Sequence, residues 1–194
     1  MAAYEAAGET DEWYTPFYIF EALGCWFDLD VASPPIQTCV PATRFIVSGS
    51  LSEVWDGLVW MNPPFGHQST KRAWLNKFFA HGNGIALTPD RTSAPWFREA
   101  WLRADAHLFM PKVKFYRPDG TRGDSPGTGS VLWAAGARAV AALTVATHRG
   151  LGVMGTAMRP TAVQNVIKQP ADGTLAGDLQ RLTEWRAMER VSAA

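Results

Sequence analysis

Cysteine is scarce in this chain of 194 residues, and the two present, Cys25 and Cys39, form no Cys-x-x-Cys pair. That excludes a disulfide framework or a zinc knuckle as the source of its fold. The four histidines, His67, His81, His107 and His148, fall in no metal-binding spacing, so no metal is expected. No apolar run approaches the length of a membrane-spanning helix. The opening residues Met1 to Glu5 carry neither a basic nor an apolar segment; no secretory signal is expected, and the cytosol is the expected compartment. Basic residues are scarce in the first third. Residues 1–65 hold nine acids and one base, Arg44, whereas residues 66–194 hold nine acids and seventeen bases, so regional charges of −8 and +8 cancel. The positive excess peaks between Lys71 and Arg122, and such a stretch fits a phosphate-binding face as readily as solvated helix surfaces.

What is present is enough for one core. Apolar residues make up 47% of the chain, with nine Trp and ten Phe, and this length favours a single globular α/β domain. Residues 1–12 are acidic and small and read as a flexible arm. Thr15-Pro16 predicts a helix start, with Thr15 as N-cap and Pro16 at the first helical position, ending at Gly24. Strands are expected at Phe27 to Val31, Arg44 to Val47 and Leu58 to Met61, then at Gly84 to Thr88, Ala106 to Met110 and Val113 to Tyr116. Helices are expected near Thr70 to Ala80, with an apolar stripe of Trp74, Leu75, Phe78 and Phe79, and from Pro95, with Trp96, Phe97, Ala100 and Trp101 at helical spacing. Residues 117–129 hold four Gly and two Pro and predict a mobile loop. Ser130 to Ala135 and Ala139 to Val145 read as a closing strand pair around Gly136, and Leu175 to Met188 as a final amphipathic helix within 175–190. The domain is therefore expected over 13–150, with a C-terminal extension over 151–194. Alternating strands and helices predict a Rossmann-like fold: a mainly parallel central sheet with an antiparallel edge and flanking helices.

Residues 58–66, Leu-Val-Trp-Met-Asn-Pro-Pro-Phe-Gly, carry the sharpest chemical signal. A strand ending at Met61 sets Asn62, Pro63, Pro64 and Phe65 at the mouth of a parallel sheet, where open α/β folds keep their ligands. The Asn62 side-chain oxygen and a proline carbonyl are two acceptors beside an aromatic ring. They suit an exocyclic amine on a flat heterocycle, because accepting both N–H hydrogens frees the nitrogen lone pair while the ring stacks on the base. A plain strand-ending turn uses the same residue types.

The order and spacing of several segments resemble the phage-type DNA N6-adenine methyltransferases over about residues 11 to 136. The segments are Asp11-Glu12-Trp13-Tyr14-Thr15-Pro16, Phe27-Asp28-Leu29-Asp30-Val31-Ala32, Trp55-Asp56-Gly57 running on into the Asn-Pro-Pro-Phe turn, and Lys114-Phe115-Tyr116. The resemblance implies S-adenosylmethionine as methyl donor, with Trp13, Tyr14, Thr15, Pro16, Asp28 and Asp30, together with Asn62, building its site. It implies that Asn62 and Pro63, with Pro64, hold the adenine amine and that Phe65 stacks on a base flipped out of double-stranded DNA. Lys71, Arg72, Arg91, Lys112, Lys114, Arg117 and Arg122 are then the expected phosphate contacts. It also hints at a phage or prophage origin, with DNA protected from restriction. Alternatives are methylation of RNA or of a protein glutamine amide, and a DNA-binding homologue without catalysis. The last arises because no Gly-rich turn lies between the Thr-Pro helix and Asp30. The string Gly150-Leu151-Gly152-Val153-Met154-Gly155 could instead be a cofactor loop, or simply the entry to the tail.

Overall fold

A computed structural model describes residues 13–35, 39–64, 68–123 and 128–156. The expected N-terminal arm and the helix over 175–190 lie outside the described residues. Seven strands form one sheet: β1 (Phe27–Asp30), β2 (Ala42–Phe45), β3 (Val59–Met61), β4 (Gly84–Pro89), β5 (Ala106–Met110), β6 (Ser130–Ala135) and β7 (Val153–Gly155). Their order across the sheet is β2-β1-β3-β4-β6-β5-β7. The pairs β1·β2, β1·β3 and β3·β4 are parallel, whereas β6 runs antiparallel to both β4 and β5, and β7 antiparallel to β5. Thus β5 points the same way as β4 although the reversed β6 lies between them. The antiparallel element expected at an edge is threaded through the sheet, with β7 as the edge strand.

Among the described residues, four helices cover the two faces: α1 (Phe17–Leu23), α2 (Gln68–His81), α3 (Pro95–Arg103) and α4 (Ala137–His148). Strand periodicity decides which layer each side chain joins, because successive residues point to opposite faces. Ile85, Leu87, Ala106, Leu108, Leu132 and Ala134 pack with Ile19, Phe20 and Leu23 of α1 and Ala139, Leu143 and Ala146 of α4. Ala86, Val131, Trp133 and Ala135 face the other way, onto Leu75 and Phe78 of α2 and Trp96, Phe97 and Ala100 of α3. Every residue of β4 and β6 is buried, as central strands covered on both faces require. The one indole N–H at their centre is satisfied, since Trp133 Nε1 donates to the buried Thr88 hydroxyl at 2.8 Å.

Several sequence expectations are corrected. Ala139 to Val145 is not a strand: it lies in α4, and Ala139, Ala142, Leu143 and Ala146 repeat at i, i+3, i+4 and i+7 to give a buried helical stripe. Val113 to Tyr116 forms no sheet strand; Tyr116 makes isolated bridges to Tyr14 and Arg122. Thr15 does not cap α1, which begins after Pro16 and ends at Gly24 in the left-handed conformation (φ 62°). The glycine string at 150–155 is no cofactor loop. Its second half is β7, and Gly155 in that strand and Gly152 just before it back onto His107 and Phe109 of β5 too closely for a side chain. The sheet therefore extends past residue 150. No described helix is long and apolar enough to cross a membrane.

Candidate active site

The chain runs from β1 outward to β2 and then returns to the other side of β1 as β3. The loops leaving β1 and β3 consequently diverge, and a crevice opens between the carboxyl ends of the two strands, the position at which open α/β sheets bind ligands. An open cleft lies there. The loop after β1 supplies Asp30 to Pro35, the loop after β2 Ile46 to Ser50, and the turn after β3 Asn62, Pro63 and Pro64, with Trp13 to Thr15 and Trp74 closing the sides.

Asn62 is the most constrained polar group in the cleft. Its Nδ2 donates to the Trp13 carbonyl at 2.8 Å and to the Thr15 hydroxyl at 3.2 Å. A carbonyl can only accept, so this pairing fixes the amide orientation. Oδ1 is left buried and without a hydrogen-bond partner among the described residues. An orphaned buried acceptor costs roughly 1–3 kcal/mol, so a ligand N–H or O–H that reaches it recovers that penalty. Thr15, 3% exposed, and the backbone of Trp13 thus set the aim of Asn62.

Asp30 ends β1 and is only 2% exposed. Its Oδ1 accepts the Ala32 N–H at 3.1 Å, folding the chain back just beyond the strand. Burial pushes the Asp30 carboxyl up to about 7, opposed by that single hydrogen bond. Asp30 is therefore poised to receive donors such as paired hydroxyls, which would hold its charged form. The far wall is stiffened from outside: Lys77 lies 4.7 Å over the Trp55 ring and donates to the Ser50 carbonyl at 2.6 Å and to that of Glu53. Trp55 Nε1 also donates to the Ser50 carbonyl at 3.1 Å.

The expected site residues separate cleanly. Trp13, Tyr14, Thr15, Asp30, Asn62, Pro63 and Pro64 come together in the cleft, whereas Pro16 and Asp28 do not line it. Asp28 instead accepts the Leu58 N–H at 2.6 Å and pairs with Arg138 at 3.2 Å, fastening β1 to the loop before β3 and to α4. Phe65 lies outside the described residues. Of the expected phosphate contacts, Arg72 pairs with Glu99 at 2.9 Å and the Lys71 ammonium sits 5.7 Å over Trp96. Arg91 follows β4, and Lys112, Lys114, Arg117 and Arg122 lie beyond β5. Sequence reasoning did not single out Ile46 to Ser50, Cys39 or Trp74 as lining residues. Ser48-Gly49-Ser50 was findable as the polar turn after β2, at the same end of the sheet. Compared with family models, curated proteins and solved structures, the chain matches none.

Proposed function

We propose that the protein is an S-adenosylmethionine-dependent methyltransferase acting on the N6 amine of adenine in DNA. The observation that carries this reading is the buried Oδ1 of Asn62, without a partner among the described residues, locked in direction and belonging to a residue that lines the crevice between β1 and β3. An adenine amine has two N–H donors and a lone pair delocalised into its ring. Asn62 Oδ1 accepts one hydrogen and the Pro63 carbonyl the other, which draws the nitrogen toward a tetrahedral shape and makes it nucleophilic. The nitrogen would attack the methyl carbon as its bond to sulfur breaks to leave a neutral thioether, and the methylated amine would then give up one proton to solvent, so no side chain need remove a proton first.

The cleft's chemistry also suits the methyl donor. S-adenosylmethionine supplies an electrophilic methyl group on a sulfonium centre when bound. Asp30 would accept from its ribose hydroxyls, as an acid at a strand end does in nucleotide sites. Trp13 to Thr15 form the opposite wall, and Trp60, Trp74 and Ile46 offer apolar surface to the purine and the methylene chain.

Incubation with methyl-labelled S-adenosylmethionine and separate DNA, RNA and protein pools tests the reading. Label in DNA, recovered as N6-methyladenine, is expected; label confined to RNA or protein refutes the DNA assignment. Asn62→Ala should keep the fold and cofactor affinity while losing at least about a hundredfold in methyl transfer, the scale of losing an aligned polar group in an active site. Unchanged turnover in that variant refutes the role given to Asn62.

A further inference from the structure

The basic residues of the chain's middle fall into two structurally different sets. On α2 and α3, Arg72 is engaged with Glu99, Lys77 with the Ser50 and Glu53 carbonyls, and Arg103 with Asn76 at 2.6 Å while its guanidinium lies 4.9 Å over Phe79. Segment 112–123 differs. Lys112, Lys114 and Arg122 are exposed there. The segment closes on itself through Gly123 N–H to the Phe115 carbonyl at 2.7 Å and Arg117 N–H to the Thr121 carbonyl at 2.8 Å, so it is a tight folded turn up to Gly123. Its one acid, Asp119, is exposed and accepts from the Thr121 N–H at 2.8 Å and the Thr121 hydroxyl at 2.6 Å. The segment therefore sets four cations, Lys112, Lys114, Arg117 and Arg122, against a single carboxylate.

Two large rings stand exposed beside these cations. Tyr116 is 38% exposed and Tyr18, on the first turn of α1, 45%. They share one neighbourhood with Arg122. Tyr116 bridges Arg122 directly, and the Tyr18 hydroxyl, pushed up by burial, is pulled down by the charge of Arg122 and nudged up by Tyr116. This neighbourhood adjoins the cleft, because Tyr14, a cleft residue, exchanges two backbone hydrogen bonds with Tyr116 at 2.9 and 3.0 Å. Arg117 also lies 5.8 Å over the ring of Trp13, another cleft residue.

We propose that the face formed by Tyr18, Tyr116, Arg122, Lys112 and Lys114 takes an unpaired strand of nucleic acid, with bases stacked on the two rings and phosphates against the cations. Exposed rings interleaved with positive charge bind single strands irrespective of sequence, since every base has a flat face, whereas the faces of bases in a duplex are covered by their neighbours. The inference rests on the methylation reading for what is delivered: the adenine reaches Asn62 from a strand already open, without the cost of extracting it from an intact helix.

Anisotropy titrations with a labelled single-stranded DNA of about 16 nucleotides, and with the duplex of the same sequence, test it at ~50 and ~200 mM salt. The single strand should bind about tenfold more tightly than the duplex. Replacing both rings, Tyr18→Ala with Tyr116→Ala, should weaken single-strand binding by about tenfold or more and duplex binding by less than about threefold. The pair Tyr18→Phe and Tyr116→Phe should keep wild-type affinity, since the ring rather than the hydroxyl stacks. Arg122→Gln should lower the salt slope by about one. Duplex bound as tightly as single strand, or an alanine pair equal to wild type, overturns the proposal; so does a phenylalanine pair as weak as the alanine pair. Labelled-methyl transfer, read separately, keeps the two ideas apart. Ring-dependent binding without any transfer sinks the methylation reading alone, and transfer with ring-independent binding sinks the surface alone.

Discussion

Acidification should weaken nucleoside binding at the cleft through Asp30, and the size of the effect follows from its surroundings. The carboxyl is 2% exposed and receives one backbone N–H, and its burial raises it from an ordinary 3.8 to about 7. Hydroxyls of a bound ribose donate to the carboxylate form, so binding lowers the value again and releases a proton near neutrality. Affinity for S-adenosylhomocysteine, the demethylated product, should then fall nearly tenfold for each pH unit below 7. Between pH ~7.5 and ~5.5 the loss is roughly 25-fold, on the order of 2 kcal/mol. The same shift acts on the free protein with a defined sign. A folded value above the unfolded one means the fold prefers the protonated acid, so Asp30 costs stability as pH rises from about 4 to about 7, by about 4 kcal/mol at most. Asp30→Asn should therefore be more stable than wild type at pH ~8 and bind the nucleoside more weakly, without the pH slope. Calorimetry in buffers of different ionisation enthalpy measures affinity and proton release together. A wild-type affinity flat across this range, or a slope surviving in Asp30→Asn, would falsify the role given to this carboxylate.

Two further perturbations probe the frame around the cleft. Leu87→Ala removes a fully buried side chain from the centre of the sheet and should cost about 2–5 kcal/mol in urea unfolding with little change in the denaturant slope; a loss below about 1 kcal/mol would mean that this core is not close-packed. Gly123→Ala sets a methyl 2.7 Å from the Trp13 ring and 3.0 Å from the Phe115 carbonyl. It should displace Trp13 and weaken nucleoside binding several-fold with only a modest loss of stability, and equal binding by the variant would remove Trp13 from the account.

Local pattern was enough to find the elements that flank the cleft. The run Val59–Met61 breaking at Asn62-Pro63-Pro64, the Pro95 that opens α3, and Asp30 closing β1 were legible because turn chemistry and apolar spacing are properties of neighbouring residues. Segment 137–148 was misread for a physical reason. Its Val140, Thr144, Val145 and Thr147 are β-branched and favour strands locally, but burying Ala139, Ala142, Leu143 and Ala146 against the sheet outweighs that weak preference. Asp28 looked like a partner of Asp30, two residues on in the same strand. Only the approach of the Leu58 N–H and Arg138 shows that it holds the sheet together instead.

By itself the sequence determined the parts: an acidic first third, a basic middle, carboxylates near the end of the first strand, a strand-ending turn at Asn62, and aromatic stripes at helical spacing. Only the tertiary structure decided their relations. That β6 enters between β4 and β5, that β1 and β3 become neighbours with a crevice at their ends, and that Trp13 and Thr15 turn the Asn62 amide all depend on contacts between residues far apart in the chain. Such contacts are settled by which arrangement buries the most apolar surface while leaving the fewest polar groups unpaired, a balance struck over the whole fold. Among the described residues that balance leaves two buried side-chain atoms unpaired, Asn62 Oδ1 in the cleft and His107 Nδ1 in β5.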